Sequence, residues 1–326
     1  MTAAGSRLID VHHHVVPDFY RRLLQDAGLT SPIPGVEYPR WHPDASLAML
    51  DGLGASAAVV SVTEPGVYFA DAERARGLAR RLNEYLAGLI AENPDQFGAF
   101  AILPLPDVDA ALAEIEYALD VLGLDGVGLL TNYRGTYVGD PALDPVLAEL
   151  NRRKVPAFLH PARPASEQRT FGLPLSLYEF PFDTSRTLAN LLYNGALERY
   201  SDLRLIVAHG GGTLPFLANR LADGAIISPA LAGRAPRDAI GAMRRLYLDT
   251  ALVASPYALP SLHALAKPTH VLFGSDFPFL PTTHAQDSWQ QLRDYHAEDL
   301  VTLNRIAEGN AMPLFPRLER ALLTSA

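Results

Sequence analysis

The stretch LIDVHHHVVP, residues 8–17, places three consecutive histidines directly after a short apolar run. The apolar residues are typical of a buried strand, and the histidines continue that strand, whereas an expression tag would stand outside the apolar pattern. Because side chains alternate along a strand, His12 and His14 are expected to point to one side and His13 to the other. The stretch therefore predicts a strand that ends in a pair of convergent imidazoles.

The same kind of apolar run recurs along the chain, and most runs are followed by a longer segment with helical spacing, which is typical of parallel strands joined by helices. The predicted strands are Leu8–His12, Ala57–Val62, Gly98–Leu103, Gly126–Leu130, Ala157–His160, Arg204–His209, Leu246–Asp249 and His270–Ser275. The predicted helices include Ala70–Asn93, Ala110–Leu122, Leu143–Arg153, Thr184–Tyr200, Leu214–Asp223 and Tyr257–Ala266. Eight repeats favour an α/β fold of the (β/α)8 TIM barrel type, although periodicity alone leaves an open doubly wound sheet as the alternative.

The whole chain, residues 1–326, is predicted to form a single barrel domain, because no low-complexity linker marks a boundary. Two aromatic and proline-rich stretches, residues 30–43 and 163–182, follow the first and fifth predicted strands. Insertions at these places would lie over the catalytic face of a barrel. We therefore expect them to act as a lid or as pocket walls.

Composition excludes several classes of function. The net charge is -9 and the sequence pI is about 5.5, so nucleic acid is not an expected partner. The chain has no cysteine, which excludes disulfides, thiolate metal ligands and cysteine nucleophiles. No apolar run approaches the roughly 20 residues that cross a bilayer, so no membrane partner is expected and a cytoplasmic protein is predicted.

Ionisable residues end several of the predicted strands. His12 and His14 close the first strand, His160 the fifth, and His209 the sixth, while Asp276 follows the eighth. In a barrel the carboxyl ends of all strands lie on one face, where active sites are built. Imidazoles with a carboxylate suit Zn²⁺, Mn²⁺ or Fe.

Each of these residues taken singly has an ordinary structural interpretation. A histidine at a strand end is commonly a hydrogen-bonded packing residue, and an aspartate after Gly-Ser is commonly a helix N-cap. The recurrence of an ionisable group at the same end of four strands favours a metal site over these alternatives.

Several motifs carry a resemblance to a known family. They are IDVHHH, FLHP, LIVAHGGGTLPF and LFGSDFPF, with further likeness in NEYLAGLIAENPDQFGAFAILPLPD and GNAMPLF. Over nearly its whole length the chain resembles the metal-dependent amidohydrolase superfamily, in the branch related to aminocarboxymuconate semialdehyde decarboxylase. Within that branch it is similar to the 6-methylsalicylate decarboxylase-like proteins.

The resemblance implies a metal centre and a reaction. His12, His14, His160 and Asp276 would hold one divalent ion, Zn²⁺ or in some relatives Mn²⁺, and His209 would be the acid/base beside it. The fourth strand is followed by Asn132 and Tyr133 and lacks the carboxylated lysine of two-metal members, which implies a mononuclear site.

The resemblance also implies an assembly and a substrate contact. Arg220 matches an arginine that family dimers lend to the neighbouring pocket, where it binds the substrate carboxylate. A second family arginine falls at Ser46 in this chain, which weakens the case for the same dicarboxylate substrate and leaves Arg40 as a substitute.

The implied enzyme is a carboxy-lyase for a small hydroxyaromatic carboxylic acid. His209 or Asp276 could deliver a proton to the ring carbon that bears the carboxylate. Candidate pocket residues, each of which could equally be ordinary core, are Trp41, Asn132, Tyr133, Phe180, Phe182, Phe277 and Phe279. Metal-dependent hydrolysis of an amide, a lactone or a carbon–carbon bond is the alternative, because the same ligands can generate hydroxide.

Overall fold

Eight parallel strands form the central sheet of a computed structural model that describes residues 7–31, 37–69, 71–166 and 169–324. The strands are β1 Ile9–His14, β2 Ala57–Ser61, β3 Phe97–Ala101, β4 Gly126–Leu130, β5 Pro156–His160, β6 Arg204–Val207, β7 Tyr247–Asp249 and β8 Val271–Leu272. Each strand pairs with the next in chain order. All eight predicted strands are confirmed, with shifts of a few residues at their ends.

The first and last strands join and close the barrel. The backbone N–H of Val11 donates to the carbonyl of Phe273 over 3.0 Å, and the N–H of His14 donates to that of Phe277 over 2.7 Å. The predicted (β/α)8 barrel is thereby confirmed, and the open sheet is excluded.

Helices lie between the strands and around the sheet. They are α1 Asp18–Asp26, α2 Pro43–Leu53, α3 Ala72–Glu92, α4 Val108–Glu116, α5 Asp144–Arg153, α6 Leu175–Tyr193, α7 Ala196–Arg199, α8 Leu214–Ala222, α9 Gly224–Ile227, α10 Ala239–Met243, α11 Leu259–Leu265, α12 Thr282–Tyr295, α13 Leu300–Asn304 and α14 Pro316–Thr324. The described residues include no helix that is long and apolar enough to cross a membrane.

Helix α6 differs from the prediction. It begins at Leu175, inside the stretch expected to be an insertion, rather than at Thr184, and it ends at Tyr193 rather than Tyr200. Pro181 lies within the helix although proline has no N–H to donate, and its carbonyl accepts a hydrogen bond from the Ser185 hydroxyl over 2.7 Å. Of the other expected insertion, residues 32–36 lie outside the described residues.

A bulge in β1 sets the direction of its histidines. Asp10 pairs with Ala58 and His13 with Val60, so Val11 and His12 together oppose a single residue of β2. Val11 belongs to the apolar cluster inside the barrel, and the His12 ring packs on Phe158 of the same cluster at 4.9 Å between centroids. The bulge thus allows two consecutive residues to point inward.

The barrel interior is apolar below the strand ends. It contains Ile9, Val59, Phe158 and Ile206 from the strands, and residues of α14 such as Leu318 pack against them. A larger apolar layer joins the outer faces of the strands to the helices. This packing leaves the carboxyl ends of the strands as the place where buried polar groups collect.

Candidate metal centre and adjoining cavity

Five predicted residues converge at the carboxyl ends of the strands. The Nε2 atoms of His12 and His14 lie 3.0 Å apart, and each is within 3.2 Å of Oδ1 of Asp276. Potential ligand atoms of His12, His160, His209 and Asp276 all lie within 4.8 Å of one another. All five residues are buried. The structure therefore contains a histidine and aspartate cluster that could hold a metal ion.

The hydrogen bonds of the histidines fit metal binding. Nδ1 of His12 donates to Oδ2 of Asp249 over 2.7 Å, and Nδ1 of His160 lies 2.8 Å from the carbonyl oxygen of Pro161, which can only accept. In the neutral rings these bonds leave the Nε2 lone pairs free. Ligand atoms around a tetrahedral ion with bonds of about 2.1 Å are separated by about 3.4 Å, close to the observed spacing.

The electrostatics of the cluster favour the presence of a positive charge among its buried side chains. Burial lowers the pKa of His12, but the charges of Asp249 and Asp276 outweigh it and raise that pKa to about 10. Burial opposes ionisation of Asp276, yet His12 and the neighbouring imidazoles hold its pKa well below the usual range. Burial lowers the pKa of His14 to about 4 and holds the pKa of His160 well below its usual value, so both rings are neutral and can bind a metal ion.

His209 and Asp276 both have backbone conformations that are rare outside glycine. Their φ angles are 55° and 60°. The N–H of His209 donates to Oδ1 of Asp249 over 2.8 Å, and the N–H of Asp276 donates to the carbonyl of His12 over 2.8 Å. Such strain, about 1–3 kcal/mol per residue, persists where surrounding contacts hold it, commonly at functional sites. Here it aims Nε2 of His209 at Oδ2 of Asp276, 3.4 Å away.

His13 points away from the cluster, into the layer between β1 and α2. Its Nδ1 lies 3.0 Å from Oδ2 of Asp10, and its Nε2 lies 2.7 Å from the Ser46 hydroxyl. The predicted direction of His13 is confirmed. Ser46 is buried and also accepts a hydrogen bond from the Trp41 indole over 2.8 Å. The structure therefore places Trp41 in this wall and does not bring it to the cavity described next.

A cavity of about 430 Å³ adjoins the cluster. Of the cluster residues His160 lines it, together with Ser61, Phe158 and the loops after β2, β4 and β5. Two predicted pocket residues, Asn132 and Tyr133, line it as expected. Its size and largely apolar lining suit a small aromatic ligand.

The remaining predicted pocket residues take varied positions. Phe180 lies 6.3 Å from the His160 ring and Phe279 lies 5.6 Å from the His14 ring, so both pack beside the cluster. Phe277 packs on His13, 5.0 Å away, on the other side of β1. The side chains of Phe182, Arg40 and Arg220 are exposed, and none of these three residues lines the cavity.

The sequence patterns did not predict three polar residues that lie in this region. Asp249 ends β7 in the same way as the predicted ligands end their strands, and this position was the signal that could have revealed it. Thr63 contacts Nδ1 of His160 over 2.7 Å. Glu64 lines the cavity. Nothing in the local pattern of Thr63 and Glu64 distinguishes them from ordinary loop residues.

A (β/α)8 barrel with histidines and an aspartate clustered at its strand ends is typical of one class of enzymes, those that hold a metal ion with such residues. The family model described as Amidohydrolase matches residues 9–317. The chain therefore belongs to the amidohydrolase family, and the predicted family is confirmed.

The relatives within this family include decarboxylases. The chain is 37% identical over 319 residues to 6-methylsalicylic acid decarboxylase of Penicillium expansum, covering 96% of this chain and 98% of that protein. It is 30% identical over 247 residues to 2-amino-3-carboxymuconate-6-semialdehyde decarboxylase of Dictyostelium discoideum, covering 73% and 67%.

Solved structures share the fold. A crystal structure described as amidohydrolase II has a TM-score of 0.88 at 30% identity and covers 94% of this chain and 99% of that one. A dihydroxybenzoic acid decarboxylase from Polaromonas, solved with manganese and 2-nitroresorcinol, has a TM-score of 0.78 at 23% identity, covering 96% and 97%.

Proposed function

We propose that this chain is a metal-dependent, non-oxidative decarboxylase of a small hydroxyaromatic carboxylic acid of the 6-methylsalicylate type. The observation that carries the proposal is the convergence of His12, His14, His160 and Asp276 beside a largely apolar cavity that His160 lines. The identity of 37% to a 6-methylsalicylic acid decarboxylase supports the same substrate class.

In this proposal His12, His14, His160 and Asp276 hold one divalent ion. Three imidazoles and one carboxylate suit Zn²⁺, and the manganese in the Polaromonas decarboxylase makes Mn²⁺ the second candidate. When bound, the ion supplies a Lewis acid that draws electron density from the substrate oxygens. Elemental analysis of the purified protein distinguishes the two metals.

His209 is the proposed proton donor, with Asp276 beside it. Nε2 of His209 lies 3.4 Å from Oδ2 of Asp276, and in this proposal the pair holds the proton that the substrate ring receives. Transfer of that proton to the ring carbon that bears the carboxylate interrupts aromaticity. Cleavage of the carbon–carbon bond then returns its electron pair to the ring and releases CO2.

The test is CO2 release by the metal-loaded protein from a panel of hydroxybenzoates. We expect His209→Asn to lower kcat about 10²- to 10⁴-fold while most of the bound metal is kept, because His209 moves a proton and is not a proposed ligand. Asp276→Asn should lose both metal and activity. The control is His42→Asn, a change in an exposed histidine outside the cavity. Cleavage of amides or lactones without CO2 release from any aromatic acid would make the proposal wrong.

We further propose a homodimer in which Arg220 reaches the partner's cavity. Arg220 is exposed on α8, and three apolar side chains of α8 and α9, Phe216, Ile226 and Ile227, are 84, 82 and 55% exposed, which favours an interface at these helices. Sedimentation of the wild type and of Phe216→Glu tests the dimer. If both sediment as monomers, the assembly and the role of Arg220 are wrong.

A cytoplasmic location stays a prediction.

A further inference from the structure

Glu64 is the one carboxyl group among the described residues that line the cavity. It lies three residues after the end of β2, on a segment that also supports the metal centre. The Ser61 hydroxyl lies 2.9 Å from Nδ1 of His14, and the Thr63 hydroxyl lies 2.7 Å from Nδ1 of His160. The same short segment therefore contacts two predicted ligands and then presents a carboxyl group to the cavity.

Two other polar side chains of the neighbouring wall are engaged within the protein. The Asn132 amide donates to the Arg163 carbonyl over 3.0 Å and to Asp183 over 3.1 Å. The Tyr133 hydroxyl accepts a hydrogen bond from the N–H of Leu130 over 2.9 Å. Much of the remaining lining is apolar. Arg134 and Arg163 also line the cavity, but their guanidinium groups can only donate hydrogen bonds, so Glu64 is the one carboxyl acceptor that a ring hydroxyl meets among the described lining residues.

The Glu64 carboxyl group can accept a further hydrogen bond from a donor on a ligand. The backbone N–H of Arg163 donates to the carboxyl group, the Arg163 charge attracts it, and Asp183 repels it. Tyr20 and Tyr38 also lie close enough to interact with its charge. A carboxyl group offers about four acceptor positions, so one N–H does not saturate it. Burial raises the pKa of Glu64 to about 7, because a carboxylate with little water around it is disfavoured.

We propose that Glu64 is a specificity-determining residue whose carboxyl group hydrogen-bonds a hydroxyl substituent on the ring of the aromatic acid in the cavity. The proposal rests on the proposed function and adds to it a preference at one ring position, where a hydroxyl substituent binds better than a methyl substituent. A methyl group at the same ring position leaves the carboxyl unsatisfied in an apolar cavity, and that cost is the basis of discrimination.

The experiment compares matched acids. The pairs are 2,4-, 2,5- and 2,6-dihydroxybenzoate against 4-, 5- and 6-methylsalicylate, each assayed for kcat/KM with metal-loaded enzyme. For at least one pair we expect wild type to favour the hydroxyl member by about 10- to 100-fold, the worth of one hydrogen bond to a charged group. Glu64→Leu should bring that ratio to within about threefold of unity, and Glu64→Gln should keep part of it. Glu298→Gln, an exposed glutamate outside the cavity, should leave the ratio unchanged.

Binding of the products separates this proposal from the proposed function. Calorimetry measures the dissociation constants of resorcinol against m-cresol and of hydroquinone against p-cresol for wild type and both Glu64 variants. If wild type decarboxylates the acids but Glu64→Leu keeps the wild-type ratios, the role of Glu64 is wrong and the decarboxylase proposal stands. If wild type releases no CO2 yet prefers the dihydric phenols, and Glu64→Leu loses that preference, decarboxylation is wrong and Glu64 keeps its role.

Discussion

Nδ1 of His12 lies 2.7 Å from Oδ2 of Asp249, and both side chains are fully buried. The other oxygen of the same carboxylate accepts hydrogen bonds from the N–H groups of His209 and Ala251 over 2.8 and 3.1 Å. One residue at the end of β7 thus orients a proposed metal ligand and holds the backbone of the proposed proton donor. It fixes the tautomer of His12, so that Nε2 faces the other ligands.

Asp249→Asn tests this orientation. The amide can still accept from the backbone but no longer supplies the charge that holds His12, so we expect metal affinity to fall about 10- to 100-fold. Competition with a coloured chelator measures the affinity. Asp287→Asn, an exposed aspartate on α12, is the control and should bind metal as wild type does. Equal affinity in the two variants would contradict the role of Asp249.

The three consecutive histidines should differ in what their replacement removes, which is bound metal for His14 and folding stability for His13. His14→Ala removes a proposed ligand, and we expect the metal content to fall sharply. His13→Ala removes the buried imidazole that joins Asp10 to Ser46, and the loss of these two hydrogen bonds costs about 1–3 kcal/mol of unfolding free energy while the metal content is kept. Urea unfolding and elemental analysis of both variants check this. Retained metal in His14→Ala would exclude it as an essential ligand.

Stability should depend on pH through Glu64. Its pKa is raised from the usual value of about 4.5 to about 7 in the folded chain, so the folded state binds more protons than the unfolded state between these values. The stability contribution is present below pH 4.5 and is lost as the pH rises through 7. We expect Glu64→Gln to gain about 1–2 kcal/mol relative to wild type between pH 5 and pH 8, after a discount for solvent in the cavity. Denaturant unfolding at both pH values measures the difference, and a pH-independent gap between the two proteins would contradict it.

Gly212 is required by a close backbone approach. Its φ is +64°, and an added Cβ would overlap the carbonyl oxygen of Pro181 in α6. Gly212→Ala should therefore destabilise the protein by more than about 2 kcal/mol. Gly77→Ala is the matched control, because Gly77 lies within α3 with open space around it and should gain about 0.5–1 kcal/mol. Thermal unfolding compares the two, and similar shifts would refute the steric explanation.

The strands and the cluster could be predicted from the sequence because both depend on short-range patterns. Apolar runs of four to six residues indicated the strands, and the position of an ionisable residue at a run's end placed His160 and Asp276 on the face where the carboxyl ends of the strands meet. The pairing of His12 with His14 followed from a spacing of two. The bulge that turns both Val11 and His12 inward left no mark in that spacing.

Helix α6 and the pocket walls were less accessible to prediction. Pro181 and the aromatic residues around it suggested an irregular insertion, yet packing against the Gly212 turn accommodates a helix there. Trp41 was an attractive wall residue by type, but its indole donates to Ser46 behind β1. Residue type does not reveal which side of a strand a distant side chain will reach.

The sequence by itself determined the barrel, the family and the five residues that meet at its carboxyl face, since strand periodicity and strand ends are local properties. Only the tertiary structure decided which groups support and surround them. Asp249 is 237 positions from His12, and Glu64 enters the cavity beside Arg163. These contacts arise from barrel closure and loop packing, which bring together residues that no local pattern relates.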